Sequence, residues 1–305
     1  MKVVVTGGTG VIGRAAVRAM VAAGHAVEVV TRSAEKLDLI ESMGATARLG
    51  DVLDTDALAA SYSGADAVVN LATHVPVGYA ALLPHAWRRN DELLTHGVAS
   101  VVAAARQAGV RRIVQESVST VYADQGEDWV TEESPMEITA ATEPAAVGES
   151  RVQEYACESR TGVVLRFGGI LGDDPITRFW LHSAAAGRAV GFGSPRGWVH
   201  LVHTDDLGTA VLAALQVPSG VYNVGAEPIR RADLIEGYAA AAGVDSGAYL
   251  GPVMRRLTGS RNEPLTRSLR VDSALFRSRS GWSPRRPVFD PHWFDAAEHA
   301  HVEAR

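Results

Sequence analysis

Thr6-Gly7-Gly8-Thr9-Gly10-Val11-Ile12-Gly13 is the stretch on which the reading of this chain turns. It follows the β-branched run Val3-Val4-Val5 and opens an alanine-rich helical pattern over residues 13–23. A glycine-rich turn between a strand and a helix has a mechanical meaning. Gly7 permits the tight turn, Gly10 lets a pyrophosphate approach the backbone, and Gly13 lets the helix pack on the sheet. The helix N-terminus adds free N–H groups and a partial positive charge. We therefore expect a dinucleotide cradle here, with Gly7, Thr9, Gly10, Val11, Ile12 and Gly13 as its contacts.

Outward from the cradle, short apolar runs alternate with helical patterns. Strands are predicted over residues 3–5, 26–31, 67–71, 113–115 and 163–165, and helices near 13–23, 56–62, 90–108 and 142–160. Such alternation implies βαβ units: an α/β fold with a doubly wound parallel sheet of the Rossmann type. After Leu165 the regularity weakens, and Gly168, Gly169, Gly172, Pro175, Gly191, Gly193, Pro195 and Gly197 punctuate the chain. The expected organisation is a dinucleotide-binding domain over 1–165, to which 200–225 returns, and a smaller C-terminal substrate lobe from 166–199 and 226–305. The last residues of the tail are expected to fray.

Composition narrows the classes. With 305 residues and 47% hydrophobic content the chain can bury a large core. A formal net charge of -6 offers no basic surplus for phosphate backbones, so nucleic acid is not an expected partner and a small molecule is. The single cysteine, Cys157, has no partner for an internal disulfide. Met1-Lys2 runs straight into the first strand, which leaves no room for a signal peptide and points to the cytoplasm. The uncharged run 67–87 is interrupted by Asn70, His74, Pro76, Pro84 and His85, so it reads as a buried strand and a cleft-lining loop rather than a membrane helix.

The end of the second strand selects between the two dinucleotides, because an acid there accepts hydrogen bonds from the adenosine 2′-hydroxyl. Here it reads Val30-Thr31-Arg32-Ser33. The fork of Arg32 suits a 2′-phosphate, with Ser33 beside it, so NADP is expected over NAD. An exposed arginine on a solvated loop is the alternative.

Further motifs extend along the chain: Asp51-Val52, Asn70-Leu71-Ala72, Asn90, Ser117-Val118-Ser119-Thr120-Val121-Tyr122, Leu165-Arg166-Phe167-Gly168-Gly169-Ile170-Leu171-Gly172, His203-Thr204-Asp205-Asp206-Leu207, Val221-Tyr222-Asn223-Val224-Gly225 and Ser280-Gly281-Trp282-Ser283-Pro284. Together with the cradle they resemble the extended short-chain dehydrogenase/reductases, the NAD(P)-dependent epimerase/dehydratase branch fitting best, over nearly the whole chain. The resemblance implies that Asp51 and Val52 flank the adenine, that Leu71, Ala72 and Thr73 line the nicotinamide side, and that Phe167, Gly168 and Gly169 close over the nicotinamide. Asp51 has the alternative of a turn or helix-capping residue, with Asp54 and Asp56 close by.

The resemblance fails at the proton machinery. The family pairs a tyrosine with a lysine four residues later, one helical turn on, to move the substrate proton, and sets a Ser or Thr on the substrate oxygen. This chain has two lysines, Lys2 and Lys36, and neither follows a tyrosine by four. Aligning Val147-Gly148-Glu149-Ser150-Arg151 places Val147 at the tyrosine and Arg151 at the lysine, while Val118 stands at the hydroxyl position; Asn90 alone is retained. The arginine that grips a diphosphate in nucleotide-sugar members is replaced by Val199, which points to a substrate without a diphosphate; the alternative is that Arg196 substitutes from the preceding loop, with Arg267 and Arg270 near another phosphate-gripping region of the family.

The remaining candidates for chemistry are His74, Ser117 and Tyr122, with Arg151 able to hold a cofactor ribose or a carboxylate but unable to act as a base. For Tyr122 core packing is the competing role, for His74 an ordinary loop position, and for Arg151 a salt bridge to Glu149 or Glu154. No metal site is expected, since a strand would point His200 and His203 to opposite faces. These observations lead to an NADP-binding enzyme acting on a small carbonyl-bearing metabolite through a non-standard proton donor. The alternatives are a non-redox lyase, cyclase or isomerase, and a non-catalytic dinucleotide sensor. The helices after Asn90 and Thr142 are the surfaces through which family homodimers pair.

Overall fold

The computed structural model describes residues 1–251 and 260–295; the end of the tail, 296–305, and part of the expected substrate lobe, 252–259, lie outside the described residues. The strands β1 (Lys2–Thr6), β2 (Ala26–Thr31), β3 (Thr46–Leu49), β4 (Ala67–Asn70), β5 (Arg112–Val118), β7 (Thr161–Phe167) and β11 (Gly220–Val224) form one parallel sheet in the order β11-β7-β5-β4-β1-β2-β3, and the short strands β6 (Trp129–Val130), β8 (Gly169–Leu171), β9 (Trp198–Val199) and β10 (Leu201–His203) lie outside it. The chain reverses direction across the sheet between β1 and β4, and such a switch point opens a crevice at the strand C-termini. The doubly wound α/β fold expected from the alternating pattern is therefore the fold observed.

Both faces of the sheet are dry. Helices α1 (Val11–Ala22), α2 (Leu37–Ser42) and α8 (Thr204–Ala214) cover one, where Val3, Val5, Val69, Val114, Leu165 and Phe167 share a core with Ala16, Val17, Ile40, Leu207 and Val211. Helices α3 (Thr55–Tyr62), α5 (Val98–Gln107) and α6 (Glu143–Tyr155) cover the other, against Val4, Val68, Ile113 and Val164. The alternation of strand residues between these two cores is the period-2 pattern of a sheet buried on both sides.

Three details differ from the sequence reading. The expected helix over 90–108 is three pieces: α4 (Arg88–Glu92), a π-helical turn at Leu93–Gly97, and α5. A π turn inserts one residue into the ladder, which the apolar spacing of α5 does not reveal. The helix expected to reach residue 160 stops at Tyr155, where Ala156 turns extended and Cys157 bridges Arg160. Leu201–His203 (β10) pairs with Gly169–Leu171 (β8) outside the large sheet, whereas β11 lies at its edge beside β7. A third cluster, Leu171, Leu181, Ile235, Tyr238, Trp293 and Phe294, lies under α7 (Pro175–Ala185) and α9 (Arg231–Ala241). Among the described residues no helix is long and apolar enough to cross a membrane.

Candidate active site

The cradle is built as its glycines require. Gly7 has φ +75, and a Cβ there would lie 2.1 Å from the Leu71 carbonyl oxygen. A Cβ on Gly13 would lie 2.1 Å from the Gly7 carbonyl oxygen, so helix and turn touch backbone to backbone. Gly10 is different: a Cβ there meets only the Gly7 oxygen, at 3.4 Å, leaving the space above it open. The Gly10 N–H donates to Gly7 O at 3.0 Å, and no acidic side chain occupies the first turn of α1. The first N–H groups of the helix, around Val11, Ile12 and Gly13, thus have no competing anion from their own turn. A diphosphate fits this cradle: the one glycine with open space is the one it must approach.

At the adenosine end, Arg32 and Ser33 follow β2, and the exposed Arg32 guanidinium lies 3.9 Å from Asp51. Asp51 also lies 3.6 Å from Arg89 and accepts from the Leu53 N–H at 3.1 Å, closing the turn after β3. The cap of α3 is Asp54, which accepts from Ala57 N–H. Val52 is buried beside it. Lys36, which the sequence reading noted only for being in the wrong place to assist a tyrosine, donates from Nζ to the Thr9 hydroxyl at 3.3 Å. Two cations, Arg32 and Lys36, therefore flank the segment between Thr9 and Asp51. Their spacing of four residues was the signal available in the sequence.

At the other end of the crevice, Leu71 is buried and Ala72 and Thr73 are half-buried at the end of β4. The Asn90 side chain, itself buried, accepts from the His74 N–H at 3.0 Å and so anchors the loop that follows; the His74 side chain is exposed. Phe167 is buried; the Gly168 N–H donates to Val224 O and the Gly169 N–H to His200 O, stitching the large sheet to the β8–β10 pair.

Beneath this end lies a polar network that the sequence reading missed. Glu149 of α6 and Arg166 of β7, 2% and 3% exposed, pair through Nη2 at 2.5 Å and Nε at 2.9 Å. Ser117 donates its hydroxyl proton to Glu149 at 2.5 Å. The Arg166 guanidinium lies 4.7 Å from the centre of the Tyr122 ring, and the Tyr122 hydroxyl donates to Asn223 at 2.8 Å. Burial pushes that hydroxyl up to about 12. Ser117 and Tyr122, two of the three proton-donor candidates, are thus sealed inside the protein with their protons committed. Ion pairs buried this deeply require such extra hydrogen bonds to offset desolvation. The aligned relay positions present other chemistry: Val118 is exposed at the end of β5, Val147 is half-buried, and Arg151 is exposed on α6.

Other polar candidates are also accounted for. His203 accepts from Asp205 N–H at 3.1 Å and contacts Trp293 O at 3.3 Å, while His200, pulled down to about 3 by burial, contacts Ser273. The two rings serve separate packing roles, and among the described residues no three His, Cys, Asp or Glu side chains converge as a metal site. Val199 pairs with Ile229 between the short strands Trp198–Val199 and Ile229–Arg230. Arg231 and Arg267 are buried and donate to backbone carbonyls, Arg267 also to Glu263; Arg270 lies over the rings of Trp129 and Trp198 at 4.1 and 4.6 Å.

Residues 7–159 match the model of a family described as NAD(P)H-binding. A 3-diazoavenalumate denitrifying reductase from Streptomyces sp is 30% identical over 94% of this chain and 97% of its own length. A ketoreductase from Stigmatella aurantiaca is 32% identical over 41% of this chain and 35% of its own. Among solved structures, a UDP-glucose 4-epimerase from Thermotoga maritima superposes with a TM-score of 0.79 at 20% identity, covering 100% of both chains. A human epimerase family protein with NADPH gives a TM-score of 0.79 at 22% identity, over 98% of this chain and 99% of that one. The structural likenesses speak for the fold; the family match and the full-length relative, joined to a cradle shaped for a diphosphate, speak for ancestry. The chain belongs to the NAD(P)H-binding, extended short-chain dehydrogenase/reductases.

Proposed function

We propose that this chain is an NADP(H)-dependent reductase of a small aromatic electrophile that works without a tyrosine–lysine relay. The observation that carries the reading is the set of side chains at the relay positions: Val118, Val147 and Arg151, with Ser117 and Tyr122 bonded within the protein. Bound in the cradle, a reduced nicotinamide supplies the hydride. The protein then has to position the acceptor and exclude water.

An acceptor that develops no alkoxide has no use for the missing tyrosine, and the diazo group named for the full-length relative is one. The terminal nitrogen of an arenediazonium takes the hydride and an N–H bond forms. The aryldiazene then loses dinitrogen and its hydrogen ends on the ring carbon. One NADPH and one arenediazonium thus give one arene, one dinitrogen and one NADP⁺. The rim suits an aromatic guest: the loop leaving the end of β4 exposes Val75, Val77 and Tyr79, and Tyr79 meets Phe179 of α7 edge-on at 5.3 Å. Absence of a diphosphate on the substrate is supported by Val199 and by the commitment of Arg231 and Arg267 to backbone carbonyls. NADP is favoured over NAD by Arg32 and Lys36, and β2 ends without a carboxylate.

A carbonyl substrate is the second reading, favoured by the ketoreductase that is similar over 41% of this chain. It requires an acid at the reacting oxygen, for which the exposed His74 is the remaining candidate of the three. Purified protein with NADPH and matched panels of arenediazonium salts and aromatic ketones separates the two. Reduced-nicotinamide absorbance should fall with the diazonium compounds and dinitrogen should appear. Turnover of ketones alone would establish the second reading, and oxidation of NADPH by neither would overturn both.

A further inference from the structure

One carboxyl of β5 has no part in the chemistry above. In this strand Ile113, Gln115 and Ser117 face α5 and α6, where Gln115 bonds Asn70 and Ser117 bonds Glu149. Alternation therefore sends Glu116 to the opposite face with Val114 and the exposed Val118. There it stands opposite Leu165 of β7, one step beyond the Gln115–Asn70 pair and so level with Leu71 after β4. That face carries Val5, Ile12, Leu71, Leu165, Phe167 and Ile170, all apolar. The charged neighbours along the two strands point elsewhere: Arg166 is bound to Glu149, and Arg112, at the far end of β5, donates to Val217 O. Glu116 is half-buried, and among the described residues its carboxyl has neither a hydrogen-bond nor an ion-pair partner. Burial alone pushes it up to about 8, so it is a neutral acid at pH 7.

A neutral carboxyl set among apolar side chains carries one donor and one acceptor, and a ligand that seals it from water has to satisfy both. Its position lies between the two segments, Leu71 to Thr73 and Phe167 to Gly169, that border the nicotinamide end of the crevice. We propose that Glu116 is the partner of the nicotinamide carboxamide: its O–H donates to the carboxamide oxygen and its carbonyl oxygen accepts from the carboxamide N–H. A protonated acid and a primary amide are complementary in both bonds at once. The proposal rests on the reading that NADP(H) occupies the cradle. It makes Glu116 a positioning residue that holds the ring for hydride transfer.

Binding tests it without turnover. NADPH and adenosine 2′,5′-bisphosphate, which lacks the nicotinamide, are titrated into the parent protein, Glu116→Leu and Glu116→Gln between pH 7 and pH 9.5. Two lost hydrogen bonds should weaken NADPH roughly tenfold to thirtyfold in Glu116→Leu at pH 7, with the bisphosphate unchanged. The parent should lose NADPH affinity as pH rises through about 8, because the carboxylate no longer donates. Glu116→Gln, which keeps a donor and an acceptor, should bind tightly with no such pH dependence, and it keeps the test decisive where Glu116→Leu folds poorly. Unchanged NADPH binding by Glu116→Leu, equal weakening of both ligands, or a flat pH profile in the parent would overturn the proposal alone. Failure of the parent to bind either ligand would overturn it together with the NADP reading.

Discussion

Replacing Glu149 by leucine removes the one carboxylate that, among the described residues, is bonded to Arg166, a guanidinium 3% exposed, and leaves a charge inside the protein beside a tyrosine ring and the Met136 sulfur. Breaking a buried pair from one side costs about 3–5 kcal/mol, because the remaining charge keeps its desolvation penalty. For 305 residues, with an unfolding entropy of about 2.1 cal/mol/K per residue, this lowers the melting temperature by about 5–8 °C. Glu149→Leu combined with Arg166→Met removes the stranded charge as well and should recover a large share of the loss, giving a coupling energy of at least ~2 kcal/mol in a double-mutant cycle. Urea denaturation of the four proteins measures it. Ser117→Ala leaves the pair intact and should cost about 1 kcal/mol while NADPH oxidation stays within about twofold of the parent. A loss below about 1 kcal/mol in Glu149→Leu, or simple additivity of the two single variants, would refute the view that this network is a tightly coupled internal structure.

Other expectations follow from single contacts. In Gly13→Ala the new Cβ has no room beside the Gly7 carbonyl oxygen, so the cradle must open and NADPH affinity should fall by more than about thirtyfold in a fluorescence titration, with the adenosine bisphosphate falling in parallel. Arg32→Asp should weaken NADPH about tenfold to a hundredfold and leave NADH unchanged or improved; equal loss of both would remove Arg32 from the 2′-phosphate. The Glu116 carboxyl titrates near 8 in the folded chain against 4.5 as a free side chain, so the folded state holds the extra proton between those values. Stability should fall as pH rises from about 4.5 to about 8, and Glu116→Gln should flatten that decline in melts across the range; an unchanged slope would contradict the buried, neutral carboxyl.

The cradle was legible because one continuous segment contains strand, turn and helix, each glycine acting on residues a few positions away. The strands β1, β2, β4, β5 and β7 were legible for a related reason: a sheet covered on both faces writes itself as short apolar runs, such as Val3-Val4-Val5 and Val163-Val164-Leu165, although β5 offers only Ile113-Val114 before its polar residues. The edge strand β3, largely exposed and reading Thr46-Ala47-Arg48-Leu49, has no such run. The network of Ser117, Glu149, Arg166 and Tyr122 was hidden because its members come from β5, α6, β7 and the turn after β5, and only the sheet order brings them together. Ser117 and Tyr122 are candidates by their position after the fifth strand; whether a hydroxyl there faces the crevice or the interior depends on packing that spacing does not encode. Lys36 and Glu116 carry no such motif: Lys36 stands out only as a lysine that follows no tyrosine, and Glu116 lies just past the apolar run that marks its strand.

Hydride delivery from a nicotinamide dinucleotide without a tyrosine–lysine relay is the property on which the proposed function stands. Its most direct test is the stoichiometry of NADPH oxidised to dinitrogen released from an arenediazonium salt, compared between the parent, Tyr122→Phe and Gly13→Ala. One-to-one stoichiometry at similar rates is expected in the parent and Tyr122→Phe, and loss of the reaction in Gly13→Ala. NADPH oxidation that disappears in a folded Tyr122→Phe protein, or that persists undiminished in Gly13→Ala, would contradict it.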